Sequence, residues 1–409
     1  MKRIVVVGAG AAGLMAASAA AAPGTETLLL ESTPDGGRKI LISGGGRCNI
    51  LPARLDESRF ITDSSANTLR NIIRSWPLPE QIAFFEKALS VRLVEEIESG
   101  KLFPASNKAR DVRDGLLKLA RKQGVTFRGS SVVTGASPEG SGWRVELASG
   151  PPLYADALII ATGGLSVPKT GSDGRGLKMA ELLGHTVHPT YAALTPLTAQ
   201  PAPFAHLAGV SLPLTITARD GERTATATGG FLFTHHGYSG PSLLDVSHVA
   251  VRASVECRAQ IRVRWTSLDQ RDWEDRLRPA GVRTVLGTVH GVMPERLAIA
   301  LIASAQVDPR RSLAQLRREE RLKLIETFVG GSLPYTGHEG YKKAEVTGGG
   351  VSLAEIDPRT MESRKHPALF LCGEMLDAFG PIGGYNFLWA WVTGRAAGLG
   401  AARRLKEKE

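Results

Sequence analysis

The segment that most constrains this chain is the first one, from Met1 to Glu31. It contains a β-branched run at Val5–Val7, a Gly-x-Gly-x-x-Gly pattern, an alanine-rich stretch and a second apolar run at Thr27–Leu30. This order predicts a buried strand, a tight turn, a helix and a second buried strand, which is the arrangement of a Rossmann dinucleotide-binding unit. The segment alone does not distinguish FAD from NAD.

Each glycine of the pattern has its own expected role. Gly8 permits the sharp turn, Gly10 lets a pyrophosphate approach the backbone, and Gly13 lets the helix pack close to the strand. The helix N-terminus presents N–H groups and a positive dipole end to phosphates. Glu31 ends the second strand, where a carboxylate hydrogen-bonds adenosine ribose hydroxyls and disfavours a 2′-phosphate. The predicted cofactor contacts in this segment are Gly8, Ala9, Gly10, Ala12, Gly13 and Glu31.

The composition fits a globular protein of two or three domains. The 409 residues are 43% hydrophobic and 22% charged, and 50 basic against 40 acidic residues give a net charge of +10. The basic residues are scattered, which favours a solvated surface over a dedicated nucleic-acid or membrane patch. The N-terminus shares features with a signal peptide, namely Lys2-Arg3, an apolar run and Ala20–Ala22. The spacing of its glycines argues against one. No other run has transmembrane length, so the chain is expected to be cytoplasmic.

Cysteine usage agrees with that expectation. Cys48, Cys257 and Cys372 are far apart and form no Cys-x-x-Cys pair. Sparse cysteines fit a reducing compartment and argue against a disulfide reductase, which needs a paired dithiol. No metal site is predicted.

A second glycine-rich loop lies between Asp35 and Ile50. It carries two cations and then the sequence Ser-Gly-Gly-Gly-Arg-Cys-Asn from Ser43 to Asn49. Consecutive glycines beside cations suit a loop wrapped against a phosphate or a flavin edge. The predicted cofactor contacts in this loop are Arg38, Lys39, Ser43, Gly44, Gly46, Arg47, Cys48 and Asn49.

The following part of the chain continues the nucleotide domain. Helices are predicted within residues 64–90 and over Ala109–Gln123. A small antiparallel meander is predicted from strands at Val125–Phe127, Val132–Val133 and Trp143–Leu147. Val133 is expected to offer its backbone to adenine.

A buried strand with a glycine-rich exit is predicted over Ala157–Gly164. Open parallel sheets bind ligands at the carboxyl ends of their strands. The predicted cofactor contacts here are Ala161, Thr162, Gly163 and Gly164.

The sequence pattern changes from about Leu194 to Ala259. Alternating strands with few helix signals are predicted there, including Leu214–Ala218, Thr224–Thr228 and Val255–Val263. Charged helices are predicted from about residue 266 to residue 328. The middle of the chain is therefore expected to be a β domain that carries a helical insertion.

The last part of the chain repeats the pattern of the first part, with a buried strand, glycines and a helix. Leu369–Glu374 is predicted as a buried strand that closes on a glycine and an acid, and a helix follows the glycines Gly383 and Gly384. The start of this helix again aims N–H groups and a dipole at a ligand. The predicted cofactor contacts here are Gly373, Glu374, Asp377, Gly384, Tyr385, Asn386 and Phe387.

Together these segments resemble the YhiN/BaiN-like flavoproteins, a family of NAD(P)/FAD-dependent oxidoreductases. The resemblance covers nearly the whole chain, and its most specific motifs lie at Ser43–Asn49 and within Gly373–Asn386. It implies an α/β fold with a Rossmann-like FAD-binding domain, discontinuous in sequence, and an inserted β-barrel-like domain that itself carries a small helical domain. The implied boundaries are 1–190 and 341–409 for the FAD-binding domain, 191–265 and 330–340 for the β-barrel-like domain, and 266–329 for the helical domain.

The resemblance also implies which part of FAD each segment would contact. The loop with Arg38, Lys39 and Arg47 would meet the pyrophosphate, ribityl chain or flavin edge, and Glu374 and Asp377 would lie near the ribityl chain. The segment 383–387 would lie at the flavin pyrimidine edge. A helix dipole there would stabilise the negative charge that develops at N1–C2=O on reduction.

Catalytic groups are harder to assign, because flavin chemistry is mostly the cofactor's own. His235 and His236 in a glycine-rich turn of the middle domain, and Tyr385, are candidate proton donors, although each also fits a structural position. Cys48 beside Arg47 is a weaker candidate for a lowered pKa and a redox role. No second Gly-x-Gly-x-x-Gly with a following acid is present, so NADH or NADPH would bind transiently over the flavin, unless another donor is used.

The sequence therefore predicts an FAD-dependent oxidoreductase that exchanges hydride between flavin N5 and a small organic substrate of enone or carbonyl type, or oxygen. Two alternatives stay open. One is a flavoprotein that acts on RNA, suggested by the net charge of +10. The other is a non-enzymatic FAD-binding redox sensor. No membrane partner is expected, RNA is the less favoured partner, and the oligomeric state is left open.

Overall fold

The computed structural model describes residues 1–221, 223–254 and 256–407. The chain divides into two compact units, Met1–Tyr191 with Glu345–Glu409, and Ala192–Ala344. Lys408 and Glu409, at the end of the predicted FAD-binding domain, lie outside the described residues. The unit boundaries fall beside the predicted ones at 190 and 341. The predicted helical domain at 266–329 belongs to the second unit, because its helices share one apolar core with the strands there.

The strands and helices follow one another along the chain in the order given by their numbers. The strands are β1 (Lys2–Val7), β2 (Thr25–Leu30), β3 (Leu51–Pro52), β4 (Leu93–Glu96), β5 (Lys101–Pro104), β6 (Thr126–Arg128), β7 (Val133–Glu139), β8 (Gly142–Leu147), β9 (Leu153–Ala155), β10 (Ala157–Ile160), β11 (Val187–Ala193), β12 (Leu197–Thr198), β13 (Ser211–Asp220), β14 (Arg223–Thr234), β15 (Gly237–Ser239), β16 (Gln260–Arg264), β17 (Gly331–Ser332), β18 (Gly337–His338), β19 (Val346–Val351) and β20 (Leu369–Leu371). The α-helices are α1 (Ala11–Ala20), α2 (Arg38–Ile42), α3 (Ala66–Arg74), α4 (Leu78–Ala83), α5 (Ala109–Lys122), α6 (Arg175–Leu182), α7 (Pro241–Arg252), α8 (Gln270–Arg276), α9 (Val285–Val289), α10 (Glu295–Ser304), α11 (Arg318–Gly330) and α12 (Tyr385–Lys406).

A five-stranded parallel sheet forms the centre of the first unit, in the order β20-β10-β1-β2-β6. Val5 of β1 pairs with Leu28 of β2 on one side and with Leu158 of β10 on the other. These three residues are almost completely buried, as expected for parallel strands that are covered on both faces. The predicted Rossmann arrangement is therefore confirmed, and the last sheet strand comes from the end of the chain.

The predicted meander differs from the observed one in its first strand. Thr126–Arg128 pairs in parallel with β2 and belongs to the main sheet. The antiparallel meander consists of β7, β8 and β9. The sequence pattern missed β9 because it is three residues long and follows two prolines, Pro151 and Pro152.

Two glycines of α12 bring the last helix against the first. A Cβ atom on Gly394 would lie 2.3 Å from the carbonyl oxygen of Ala12, and one on Gly398 would lie 2.3 Å from that of Ala16. Only glycine permits this approach of two helix backbones. The contact places the N-terminus of α1 and the start of α12 in one unit, at the strand exits.

A seven-stranded antiparallel sheet, ordered β17-β16-β13-β14-β15-β12-β18, organises the second unit. The strands predicted at 214–218 and 224–228 are confirmed as parts of β13 and β14, which pair over the full length of β13. Val255, where the third predicted strand begins, lies outside the described residues, and β16 starts at Gln260. The core beneath the sheet includes the fully buried Trp265, Trp273 and Phe328.

Helix α7 was not predicted, because residues 194–259 were assigned to strands. It begins with Pro241 at its first position, after Gly240 in a left-handed conformation with φ +97°. Leu243, Val246 and Val249 are buried at helical spacing. A proline that opens a helix after a glycine was the available signal.

None of the helices in the described ranges combines the length and the apolar character that a membrane crossing requires.

Candidate cofactor-binding site

An open cleft lies at the carboxyl ends of the parallel strands, and all of its lining residues belong to the first unit. Val7, Leu30 and Ala161 mark the exits of β1, β2 and β10 into it, where open α/β sheets bind their ligands. The predicted cofactor residues that line the cleft are Gly8, Gly10, Ala12, Glu31, Arg38, Lys39, Ser43, Gly44, Arg47, Asn49, Val133, Ala161, Thr162, Gly163, Gly373, Glu374, Gly384, Asn386 and Phe387.

The three glycines of the first turn have different surroundings. A Cβ atom on Gly8, which has φ +98°, would lie 2.6 Å from the carbonyl oxygen of Ala161, and one on Gly13 would lie 1.7 Å from that of Gly8. A Cβ atom on Gly10 would have no protein atom within 4 Å. Gly8 and Gly13 are therefore required by the fold itself, whereas the space above Gly10 is open, as a pyrophosphate at this helix N-terminus requires.

Glu31 is held by its own loop. Its Oε2 accepts a hydrogen bond from the Ala9 N–H at 2.7 Å, and its Oε1 accepts bonds from the N–H and hydroxyl of Thr33, both at 2.8 Å. Only 7% of Glu31 is exposed. The carboxylate is thus fixed in orientation, and Oε2 keeps acceptor capacity towards the cleft.

Lys39 and Glu374, predicted as separate cofactor contacts, form an ion pair with 2.5 Å between Nζ and Oε2. The Oε1 of Glu374 accepts hydrogen bonds from the hydroxyl and N–H of Thr347, at 2.9 and 3.0 Å, and from the Ser166 hydroxyl. Lys39 also donates to Ser166 at 2.5 Å. Sequence reasoning missed Ser166 and Thr347, which lie in no glycine motif and gain their role only through the fold.

One end of the cleft is formed around Glu31. Ser131, Val132 and Val133 line it, and the Ser131 N–H donates to the Glu31 carbonyl at 2.8 Å. Gly171 lies beside the carboxylate, since a Cβ atom there would be 3.7 Å from Glu31 Oε1. The predicted backbone contact at Val133 is therefore placed where an adenosine moiety would lie if Glu31 holds the ribose.

The other end of the cleft combines cations with aromatic rings. Arg47 lies 4.1 Å over the ring of Phe103 and donates to Glu96 at 2.9 Å. Lys101 lies along the glycine turn before α12, with its Cε 3.9 Å from a Cβ atom built on Gly383. Sequence reasoning missed Lys101 and Phe103, because a short strand without a glycine motif gave no signal.

Some predicted cofactor residues support the cleft without lining it. Gly13 packs on Gly8, Gly164 packs against Thr347, and Ala9 donates to Glu31. Asp377 is buried and accepts bonds from the N–H of Asp63 at 3.0 Å and the hydroxyl of Ser64 at 2.7 Å, so it fixes a loop. The predicted residues outside the lining are Ala9, Gly13, Gly46, Cys48, Gly164, Asp377 and Tyr385.

The structure shifts the pKa of Cys48 in the direction opposite to the one suggested by its neighbour Arg47. Cys48 is completely buried, and burial raises the pKa of its thiol to about 12, although a hydrogen bond with Ser43 acts in the opposite direction. A lowered pKa beside Arg47 was only the weaker candidate on the sequence, and in the structure Arg47 contacts Phe103 and Glu96 instead. Cys48 is therefore a small apolar residue of the core.

The predicted proton donors occupy different places. The Tyr385 hydroxyl donates to the Arg54 carbonyl at 3.4 Å and accepts from the Asp56 N–H at 3.3 Å, so it is engaged with a loop. His235 and His236 are exposed in the turn between β14 and β15 of the second unit. Their assignment to catalysis stays a prediction.

Glu345 is a cleft carboxyl group that sequence reasoning missed. It lies just before β19, and its side chain is open to the cleft. Within the described chain it has neither a hydrogen-bonding partner nor an ion pair. The surrounding protein restricts its hydration and raises its pKa, while the charge of Lys39 acts in the opposite direction. The cleft thus holds an unpaired acid beside an ion pair.

The polar atoms of the cleft fit a dinucleotide. Among the residues that the structure describes, the side-chain oxygen of Asn49 finds no hydrogen-bond partner although it is buried, whereas buried polar atoms in proteins are normally satisfied. The open space above Gly10, the carboxylate of Glu31 and the glycine turn before α12 complete a cradle with polar groups along its length. A dinucleotide such as FAD would satisfy these groups.

Comparison with known proteins adds independent information. A model of the family described as "HI0933-like protein Rossmann domain" matches residues 2–400. The chain is 34% identical over 402 residues to a ribosomal RNA dihydrouridine synthase of Escherichia coli, covering 95% of both proteins. It is 31% identical over 413 residues to a 3-dehydro-bile acid delta(4,6)-reductase of Clostridium scindens, covering 99% of this chain and 100% of the relative.

Solved structures give a similarity of fold alone. The Mycobacterium smegmatis Sdh1 complex in the apo form superposes with a TM-score of 0.50 at 15% identity, over 99% of this chain and 69% of that one.

Proposed function

Since this chain belongs to the HI0933-like family of FAD-dependent oxidoreductases, we propose that it reduces a carbon–carbon double bond conjugated to a carbonyl group. The observation that carries the proposal is the unpaired carboxyl group of Glu345 in the cofactor cleft. A reductase of this kind needs one acid of this type close to its cofactor.

The reaction adds one hydride and one proton across the double bond. FAD bound in the cleft and already reduced by a donor would supply the hydride for the β-carbon of the double bond. The proton is delivered to the α-carbon by a general acid. Glu345 fits this role because its carboxyl group faces the cleft without a partner in the described chain, and restricted hydration raises its pKa in the direction that favours the protonated form.

The residues of the cleft would hold FAD at three places. Glu31 would bind the ribose of the adenosine end, and the open N-terminus of α1 above Gly10 would bind the pyrophosphate. The turn before α12 and Asn49 would contact the flavin end. The ion pair of Lys39 and Glu374 would keep the wall between these places in a fixed position.

The names of both relatives support the same reaction type. A dihydrouridine synthase saturates the double bond of uracil, which is conjugated to a ring carbonyl, and a delta(4,6)-reductase of a 3-dehydro-bile acid saturates double bonds conjugated to a ketone. The substrates differ greatly in size, whereas the chemistry at the reacting bond is shared.

RNA was the less favoured partner on the sequence alone, but the name of the relative that is 34% identical leads us to favour RNA uracil as the substrate class. The net charge of +10 attracts a polyanion, and the relative that is 34% identical carries an RNA substrate in its name. A small enone is the second candidate, supported by the relative that is 31% identical over nearly the full length of both chains.

NADH or NADPH is the proposed hydride source for the cofactor. The sequence has no second Gly-x-Gly-x-x-Gly with a following acid, so a nicotinamide would occupy the flavin end of the cleft only before the substrate enters.

Anaerobic half-reactions test the proposal. The FAD-loaded protein is reduced with NADH or NADPH, and its reoxidation is then followed with uridine-containing RNA, with a 4-en-3-one steroid and with oxygen. We expect reoxidation by RNA or by the enone at a higher rate than by a saturated ketone of the same size. Retained FAD without turnover of any conjugated acceptor would instead identify a redox sensor.

A further inference from the structure

The antiparallel sheet of the second unit carries rows of arginine and threonine side chains. Arg264, Thr215 and Thr228 lie side by side on β16, β13 and β14, and Arg262, Thr217 and Thr226 form the next row. These six residues are called the arginine–threonine face. Arg262, Thr226 and Thr228 are exposed, and the other three are half-buried.

The face is the outer side of the sheet. Residues alternate between the two sides of a strand, and the neighbours of the face point the other way. Ile216, Ala218 and Val263 are fully buried in the core of the second unit. The apolar side is therefore packed in the core, while the six residues of the face present polar side chains on the outer side.

The positive charge on this face is not neutralised. Within the described chain, Arg262 and Arg264 have no carboxylate partner, and neither does the exposed Arg219, two residues beyond Thr217. Arg262 donates to the carbonyl of Gly330 at 3.3 Å, and Nε of Arg264 is buried without a partner. The nearby Asp220 is 3.2 Å from Arg223 and paired with it. Arginine forks without carboxylates suit an anion such as a phosphate.

The hydroxyl groups complete the chemistry of the surface. Thr215 and Thr228 are hydrogen-bonded at 2.9 Å between their hydroxyl oxygens, and so are Thr217 and Thr226. Each pair shares one hydroxyl proton, so the second proton of the pair is free to donate outward. A surface that offers guanidinium and hydroxyl donors at two neighbouring rows matches phosphate and sugar oxygens.

We infer that the arginine–threonine face binds the sugar–phosphate backbone of RNA. This inference rests on the RNA substrate of the proposed function. The six residues include no aromatic side chain on which bases would stack, so the contact is independent of base sequence and strongly dependent on salt. The face supplies affinity and leaves the choice of the uracil to the cleft.

Fluorescence anisotropy of a labelled uridine-containing RNA tests the inference on the FAD-loaded full chain. The variant Arg219→Gln/Arg262→Gln/Arg264→Gln removes three charges from the sheet. The matched variant Arg271→Gln/Arg276→Gln/Arg318→Gln removes three exposed charges from α8 and α11 of the same unit. We expect the first variant to bind RNA more weakly and to lower the slope of log K against log salt by about 2, at about 0.7 per lost phosphate contact of a single strand.

Three results separate this inference from the proposed function. If the two variants bind RNA equally well and RNA is still reduced, the arginine–threonine face does not bind RNA, and the proposed reaction stands. Absence of RNA binding by the unmodified protein at low salt would overturn the face together with the RNA substrate, whereas reduction of a small enone would still support the reaction type. Dissociation of a dimer by the first variant, with unchanged RNA affinity, would identify the face as a contact between copies of this chain.

Anaerobic reduction of the cofactor by the nicotinamide donor serves as the folding control. The three sheet arginines belong to the second unit and are absent from the lining of the cleft, so this half-reaction is expected to be equal in both variants. A restoring variant, Arg219→Lys/Arg262→Lys/Arg264→Lys, is expected to recover most of the salt slope, because the charge is kept.

Discussion

The ammonium group of Lys39 lies 2.5 Å from the carboxylate of Glu374, although 335 residues separate the two in sequence. Lys39 belongs to the second glycine-rich loop, and Glu374 follows the last strand of the parallel sheet. The pair therefore joins the beginning and the end of the chain within the wall of the cofactor cleft. Its two side chains are 25% and 15% exposed, so water screens the attraction only in part.

Replacement of Lys39 by methionine tests the importance of this pair. The change leaves Glu374 with its bonds from Thr347 and Ser166 but without its cation. We expect the free energy of unfolding of the apoprotein to fall by about 1.5–3 kcal/mol, the range for hydrogen bonds to charged groups. Urea unfolding measures it. Arg38→Gln is the control, because the exposed pair of Arg38 with Asp35 should contribute less than about 1 kcal/mol. An equal loss of unfolding free energy in both variants would contradict the stabilising role given to the pair of Lys39 and Glu374.

Two glycine variants separate the needs of the fold from those of the cofactor. In Gly13→Ala the new methyl group meets the Gly8 carbonyl, so we expect a loss of about 3 kcal/mol and poor folding. In Gly10→Ala the methyl group enters open space at φ −76°, an ordinary conformation, so the apoprotein should keep its stability within about 0.5 kcal/mol. FAD affinity should nevertheless fall roughly tenfold or more, which is at least about 1.4 kcal/mol. Equilibrium titration with FAD and thermal unfolding of both variants check this, and normal FAD affinity of Gly10→Ala would be incompatible with a pyrophosphate at this position.

Glu345→Gln tests the proposed general acid. The protonated carboxyl group is the active form, so the rate of substrate reduction should fall as the pH rises through the raised pKa of Glu345. The glutamine variant should be about 10²–10⁴-fold slower and should lack this fall. Stopped-flow reoxidation across a pH series measures both properties. Reduction of the cofactor by the nicotinamide donor is the control, since it needs no proton from Glu345. An unchanged pH profile would show that another group delivers the proton.

A second carboxylate, Glu355, is expected to govern acid stability. Burial alone would raise the pKa of Glu355, but hydrogen bonds from Lys365, Thr186 and His185 outweigh it and lower the pKa to about 2. Its folded-state pKa is lower than the ordinary 4.5, so its stabilising contribution is present above pH 4.5 and is lost as the pH falls towards 2. The side chain is 16% exposed, and the contribution at neutral pH is up to about 3 kcal/mol.

Denaturant unfolding between neutral pH and about pH 3 measures this contribution. Glu355→Gln should be less stable at neutral pH and should lose less stability on acidification. Ser363→Ala removes the 3.0 Å contact of Ser363 with His185 but keeps the carboxylate, so its pH profile should keep the shape of the unmodified protein. The profile also contains a loss that begins below pH 6.5, because burial lowers the pKa of His185. Parallel profiles for the two variants would mean that Glu355 does not control acid stability.

Much of the cleft was predictable from sequence because glycine patterns report where backbones approach each other. Gly13 is excluded from carrying a side chain by the carbonyl of Gly8, only five residues earlier, so the spacing of the glycines carries that information, whereas the atom that excludes a side chain at Gly8 belongs to the distant Ala161. The strand exits at Glu31 and Ala161 were predictable for a related reason, since buried apolar runs that end in glycine or an acid are typical of parallel sheets.

The parts that sequence could not give depend on contacts between distant segments. The pairing of Lys39 with Glu374 and the unpaired state of Glu345 exist only after β19 and β20 have joined the first unit. The pKa of Cys48 follows from its complete burial, which its neighbour Arg47 does not reveal. Asp377 was expected beside the ribityl chain, and the structure gives it bonds to residues 62–64 that no local pattern indicates.

The close packing of α1 on α12 joins a helix that is synthesised first to one that is synthesised last. Residues 192–344 have their own core and emerge from the ribosome while the first glycine turn still lacks its partner helix. The alanine-rich surface of α1 stays unprotected until Gly394 and Gly398 are synthesised. The cleft itself is complete only after the last segment has been made, because Gly373, Gly384 and Asn386 belong to its lining, so we expect the cofactor to be loaded late in the life of a nascent chain.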